Sequence, residues 1–351
     1  MRHRILILGA SYGSLFGTKL LMAGHRVTLV CTRPTAELIN REGTRVRFPV
    51  KGRDALSEIV SYELPGVLSA VTPEEIDPTA FDLVVLGMQE AHYGARGVRE
   101  LMSRVARSGK PCLAIMNMPP LPFLKRIPAL AAHLLEDCYA DPRVWDGFDP
   151  ALLTLSSPDP QAFRPADQPK NVLQVGLPTN FKAARFQAEE ATALLRRLEA
   201  DIERVSSEIP VKLKVHDSIF VPLAKWPMLM TGNYRCIRPN EMIPIREAVH
   251  GNLARSREIY DWVAKLCQRL GAGGDDLVPF EKYAKAAEGL GKPSSAARAL
   301  AAGAQHIERV DSLVQCVARH LGVQSETLDE IVMLVDEHLQ RNRAGRERAA
   351  A

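Results

Sequence analysis

The sequence predicts an α/β protein: a doubly wound parallel sheet in the N-terminal half, followed by an all-helical C-terminal domain. Three observations predict it. Short apolar runs alternate with helix-spaced segments up to about residue 210. A glycine-rich turn joins the first apolar run to the first helical segment, and from Ser218 onward the spacing is helical, broken only at Pro239–Pro244 and Gly271–Gly274.

Each element has its own signal. Arg4–Leu8 is a β-rich run that stops at Gly9. Ser14–Ala23 has helical spacing, with Gly24 where a helix's closing glycine belongs. His25–Cys31, carrying Val27, Leu29 and Val30, is the next strand. Phe81–Met88 and Lys110–Asn117 are near-continuous apolar runs, the mark of parallel strands covered on both faces, and they flank a helix over Ala91–Ala106. Residues 118–170 form a proline-rich insertion, expected to hold a short helix near Leu124–Leu135 and otherwise long surface loops. Asn171–Leu177 follows as a strand, Phe181–Ile202 as one amphipathic helix, and Val211–Val215 as a last strand. The alternation ends at Ser206–Pro210, which divides the chain into a dinucleotide-type domain over 1–210 and a helical domain over 211–340. The end, 341–351, with Arg341, Arg343, Arg346 and Arg348 and no aromatic, is expected to be a disordered, solvated tail.

Composition excludes several classes. The 45 bases and 41 acids leave a net charge of +4 with no long run, so no nucleic-acid partner is expected. The charged start precedes only Ile5–Leu8, and no apolar stretch approaches the roughly 20 residues of a membrane span, so the expectation is a cytoplasmic protein without a membrane partner. Six scattered cysteines without a CxxC pair read as free thiols, and the absence of HExxH or a Cys/His cluster predicts no metal site.

The chemistry begins at Gly9-Ala10-Ser11-Tyr12-Gly13-Ser14-Leu15-Phe16-Gly17. Between a strand and a helix, such glycines let the backbone turn sharply and approach a pyrophosphate, which the free N–H groups of the helix start then bind. This is a Rossmann-type turn, although the middle glycine of GxGxxG is replaced by Ser11. The second strand ends in Cys31-Thr32-Arg33, where an NAD site usually carries an acid. A guanidinium there suits a 2′-phosphate, so the cofactor expected is NADP.

The string Ile7–Gly17, continued by Ala23-Gly24-His25-Arg26-Val27-Thr28-Leu29-Val30, resembles the ketopantoate reductase (2-dehydropantoate 2-reductase) family. That resemblance implies a Rossmann domain joined to a helical domain, NADPH, and reduction of a small 2-oxo acid by hydride transfer. It implies Lys225 as proton donor, matching the lysine of a KLxxNxxxN string, and Asn233 as the second asparagine, while Leu229 replaces the first. Asn117 stands at the family's strand-end asparagine, touching both cofactor and substrate, and Ser295 matches a substrate serine. Glu308 is the candidate acid; one residue out of step, it leaves Ile307 at the expected spacing and His306 as a neighbour. Gln89-Glu90 replace the family's cofactor-side lysine. The implied assignments are therefore Lys225 and Glu308 catalytic; Asn117, Asn233 and Ser295 on substrate; and Gly9, Ala10, Ser11, Tyr12, Gly13, Arg33, Gln89 and Asn117 on cofactor. In a monomer or homodimer, the substrate would be a 2-oxo acid or an imine, as for an opine-type dehydrogenase. Pro222 and Pro227 beside Lys225, and the missing glycine and asparagine, leave open a non-catalytic NADP(H)-binding regulator.

Overall fold

The computed structural model describes residues 2–49, 55–205 and 209–350. The chain divides into two compact units, one of Met1–Phe123 with Arg143–Pro222 and one of Leu124–Pro142 with Leu223–Ala351.

The first unit is built from strands β1 (Arg4–Leu8), β2 (Arg26–Val30), β3 (Arg45–Phe48), β4 (Ser57–Val60), β5 (Val67–Val71), β6 (Leu83–Leu86), β7 (Cys112–Ile115), β8 (Leu153–Ser157), β9 (Gln161–Phe163), β10 (Val172–Leu177), β11 (Phe181–Ala184) and β12 (Leu213–His216). Its helices are α1 (Tyr12–Met22), α2 (Arg33–Glu42), α3 (Val98–Ser108) and α5 (Glu189–Arg204), with the short α4 (Leu121–Leu124) where the chain leaves the unit. An eight-stranded sheet runs β12-β11-β8-β7-β6-β1-β2-β5. It is parallel from β8 to β5; β11 pairs antiparallel with β8, and β12 runs parallel to β11. A smaller sheet, β4-β3-β10-β9, stands beside it.

Strand alternation explains the burial. Ile5, Ile7, Leu83, Val85 and Leu113 share one core with Leu15, Phe16 and Leu20 of α1 and with Leu195 and Leu198 of α5. Their neighbours Leu6, Leu8, Val84 and Leu86 are equally buried on the opposite face. Both faces are covered, which is why β1 and β6 read as unbroken apolar runs.

Several sequence expectations change here. Phe181–Ile202 is not one helix: Phe181–Ala184 is β11, and α5 starts only at Glu189. Leu153–Ser157, expected as loop within the insertion, is a wholly buried central strand, and β9 lies in the same segment. A helix at Leu124–Leu135 is replaced by α4 and a 3-10 helix at Ala132–Cys138. Ala91–Ala106 begins as a short 3-10 turn at Glu90–His92, and α3 starts at Val98. The expected break at Ser206–Pro210 includes 206–208, outside the described residues; the units divide at Pro222, because β12 pairs with β11 over Leu213–His216.

The second unit holds α6 (Lys225–Met228), α7 (Ile245–His250), α8 (Leu253–Leu270), α9 (Phe280–Ala287), α10 (Ser295–Ala301), α11 (Val310–His320) and α12 (Glu326–Ala350). Residues 341–350 continue α12 rather than forming a disordered tail, and Arg341 and Arg343 donate to the carbonyls of Pro239 and Gln305. Among the described residues no helix is long and apolar enough to cross a membrane.

Candidate functional site

The glycine turn lies where the sheet's connections change direction. β1 sits between β2 and β6, so the chain leaves β1 toward one side of the sheet and later returns on the other. Ligands of open α/β sheets bind at the strand C-termini at such a switch point. A surface cavity lined by His3, Asp82 and Lys110 lies at the N-terminal ends of these strands and so is not this site.

The turn is tightly built. Gly9 has φ +102°, and a Cβ there would lie 2.6 Å from Met88 Cγ and 3.0 Å from the Gly87 carbonyl oxygen. At Gly13 a Cβ would lie 2.6 Å from Ile7 Cγ2. Gly87, at the end of β6, would place its own Cβ 3.2 Å from the Leu8 carbonyl oxygen and 3.6 Å from the Gly13 backbone. Glycine at these positions brings β1, β6 and the start of α1 together with bare backbone. Gly87 is part of the β6 apolar run in the sequence, but nothing local marks it, because its role depends on β6 lying beside β1.

Other members of the turn divide their roles. Ser11 is the exposed N-cap of α1 and makes no capping bond with its side chain. The Ala10 carbonyl accepts from Ser14 Oγ. Tyr12 is turned aside: its hydroxyl donates to the Pro158 carbonyl at 3.1 Å and its ring meets Phe181 edge-on. Burial and the Asp159 carboxylate push that hydroxyl well above its usual range. Tyr12 therefore offers its backbone N–H, one of the first in α1, which have no partner within the helix.

Arg33 opens α2 and pairs with Glu75 at 3.0 Å, both largely exposed. Glu75 is held below the usual carboxylate range, first by its bond from the Thr72 backbone within a capping box and then by Arg33. Cys31, at the end of β2, feels the charge of half-buried Arg164, which follows β9. Sequence reading missed Arg164 because its surroundings looked like loop. Gln89 is half-buried at the start of the Glu90–His92 turn, and Asn117 is half-buried two residues past β7.

In the second unit, Lys225 opens α6 between the buried Leu223 and Trp226 and is itself half-buried. Pro227 cannot donate to the Leu223 carbonyl; Cys267 Sγ approaches that oxygen at 4.0 Å. Leu229–Asn233 then forms a π-helical stretch, with Tyr234 N–H donating five residues back to the Leu229 carbonyl at 3.0 Å. Leu229 is buried, whereas Lys225 and Asn233 are half-buried. π segments recur at functional sites.

The remaining candidates are Ser295, which opens α10, and Glu308. Ser294 caps α10; its Oγ accepts from Ala297 N–H and donates to the Asn233 carbonyl at 2.6 Å, while Ser295 is exposed. Glu308 lies in the non-helical link before α11. It is buried, and its carbonyl accepts from the Tyr234 hydroxyl, tying it to the residue after Asn233. Ile307 is also buried and His306 is exposed.

Residues 5–96 match the model of the family described as Ketopantoate reductase PanE/ApbA. No curated protein sequence matches the chain significantly. Among solved structures, a 2-dehydropantoate 2-reductase from Methylococcus capsulatus is 15% identical, with TM-score 0.68, covering 97% of each chain. A PanE/ApbA family ketopantoate reductase from Ralstonia eutropha JMP134 is 15% identical with TM-score 0.66, over 97% of this chain and 99% of the other. D-mandelate dehydrogenase, solved with NADH and anilino(oxo)acetate, is 14% identical with TM-score 0.66 over the same shares. The resemblance to the ketopantoate reductase family is thereby shown: residues 5–96 match its model, and the chain has the fold of solved structures bearing its name.

Proposed function

We propose that this protein reduces the carbonyl of a small 2-oxo acid with NADPH, Lys225 serving as proton donor. The observation that carries the reading is the bare-backbone cradle of Gly9, Gly13 and Gly87, which a single Cβ would obstruct. A dinucleotide's pyrophosphate fits that chemistry, because it needs close backbone approach and N–H groups at a helix start. Bound there, the dinucleotide would supply a hydride to the substrate carbonyl carbon.

The chain's own residues would do the rest. As negative charge develops on the carbonyl oxygen, the Lys225 ammonium stabilises it and delivers the proton. Asn233 and Asn117 carry amides suited to a carboxylate or hydroxyl, and Ser295 an exposed hydroxyl. Glu308, buried and fixed through Tyr234, is suited to holding the Asn233 region in place. Neighbouring solved structures carry names with different 2-oxo or 2-hydroxy acids, so the substrate class is assigned more broadly than ketopantoate.

Arg33, with Arg164 beyond it, supplies positive charge at the end of β2 for a 2′-phosphate. An exposed pair such as Arg33–Glu75 contributes little stability, so Arg33 is available to exchange partners. NADPH is expected to bind more tightly than NADH by nucleotide-fluorescence titration. Arg33→Ala should cost NADPH about tenfold or more, the worth of a charge-assisted hydrogen bond at about 1.5–3 kcal/mol, and leave NADH nearly unchanged. Equal wild-type affinities for the two nucleotides would defeat the NADP assignment.

Leu229 stands where the family carries a hydrogen-bonding asparagine, and it is buried. A leucine cannot replace that hydrogen bond, and a substrate group left without its partner weakens recognition by about 1–3 kcal/mol. Ketopantoate is therefore expected to be a poor substrate, with kcat/KM well below about 10⁵ M⁻¹s⁻¹. Steady-state assays against a panel of 2-oxo acids check this, and efficient turnover of ketopantoate would overturn it.

A further inference from the structure

The second unit contains a pair of thiols that the proposed reaction does not use. Cys138 ends the 3-10 helix Ala132–Cys138, and its Sγ lies 3.4 Å from Cys316 Sγ on α11. Ser312, one helical turn before Cys316 and on the same face, donates to Cys138 Sγ at 3.6 Å. The two cysteines are 178 residues apart in sequence, so their approach is made by the fold. All six cysteines are free.

The pair is asymmetric. Cys138 is buried and Cys316 half-buried, so Cys316 is the more accessible of the two residues. Cys316 is drawn below the usual thiol range, chiefly by the hydrogen bond from Cys138 and also by the Arg319 charge. Cys138 is pushed the other way by donating that bond and by burial. The isolated buried thiols Cys112 and Cys267 are both pushed up to about 12 by burial. A thiolate is the reactive form, and a partially exposed, electropositive setting selects it.

We propose that Cys138 and Cys316 form a peroxide-oxidisable dithiol site, with Cys316 as the attacking and Cys138 as the resolving sulfur. The Cys316 thiolate attacks one oxygen of hydrogen peroxide; the O–O bond breaks, and hydroxide leaves and takes up a proton as water. Cys316 is then a sulfenic acid. The Cys138 sulfur attacks the Cys316 sulfur, the S–O bond breaks, and the departing hydroxide takes the Cys138 proton as a second water. The two thiols lose two electrons, which the peroxide has accepted. Closing from 3.4 Å to a bonded distance of about 2.05 Å needs a movement of roughly 1.4 Å. The product ties the segment Leu124–Pro142 to α11 within the same unit.

The test uses the full chain treated with hydrogen peroxide, followed by thiol counting after denaturation and peptide mapping. Expected is the loss of two of the six thiols, a mass decrease of two hydrogen atoms, and a Cys138–Cys316 linked peptide that a dithiol reductant removes. Cys316→Ser should abolish the response, while Cys138→Ser should stop at a Cys316 sulfenic acid captured by a cyclic diketone. If Cys138→Ser misfolds, Cys138→Ala replaces it, and the wild-type map remains decisive. The proposal fails if Cys316 oxidises no faster than Cys112 and Cys267, if the link joins other cysteines, or if the wild type accumulates sulfinic acid without a disulfide.

Discussion

Lys225→Ala is expected to lower kcat by about 10²–10⁴, the usual contribution of a placed general acid, while leaving NADPH binding nearly intact. The separation follows from the fold. The glycine cradle and Arg33 belong to the first unit, and Lys225 belongs to the second. Lys225 opens a short helix clamped on both sides by buried Leu223 and Trp226, so its backbone should survive loss of the side chain. Lys225→Arg should restore little, because a guanidinium holds its proton far more tightly and is planar. Steady-state kinetics, cofactor titration and a thermal melt on one preparation check all three. A well-folded Lys225→Ala protein with unchanged kcat would remove the catalytic assignment and leave a dinucleotide-binding protein without that chemistry.

Gly9→Ala is expected to destabilise the first unit strongly. The backbone at φ +102° is open to glycine and strained for alanine, by about 1–2 kcal/mol. The added Cβ also meets Met88 Cγ at 2.6 Å and the Gly87 carbonyl at 3.0 Å, and overpacking of this kind costs about 1–3 kcal/mol. The sum of about 2–5 kcal/mol corresponds to a fall in Tm of roughly 5–15 °C. Dinucleotide affinity should fall with it, since the same carbon would displace the bare backbone of the cradle. Gly24→Ala is the control: φ is also positive, at +83°, but open space surrounds the position, so only the conformational strain remains. Calorimetry should rank Gly9→Ala well below Gly24→Ala, and equal melting temperatures would show that the close approach to Met88 and Gly87 is unimportant.

The core of the sheet was legible because its strands are buried on both faces, which leaves unbroken apolar runs in β1, β6 and β7. β8 escaped for a local reason. Leu153-Thr154-Leu155-Ser156-Ser157 is fully buried, yet three of its five side chains are hydroxyls. Thr154 reaches the Ala184 carbonyl at 2.8 Å, a partner that exists only once β11 is folded beside it. β11 escaped because Phe181–Ala184 is too short to show alternation and runs directly into a strongly amphipathic segment.

The sequence by itself determined the order of β1, α1 and β2, the glycines at their junction, and the absence of an acid at the end of β2. These are local properties: φ preference, periodicity and side-chain charge act within a few residues. Only the tertiary structure decided the rest. It placed Gly87 and Met88 against Gly9, engaged Arg33 with Glu75, and brought Arg164 near the end of β2. A π turn formed at Leu229–Asn233, and Ser294 capped α10 while donating to the Asn233 carbonyl. Cys138 and Cys316 meet for the same reason: the approach of residues far apart in sequence depends on packing, and no local pattern of residues encodes it.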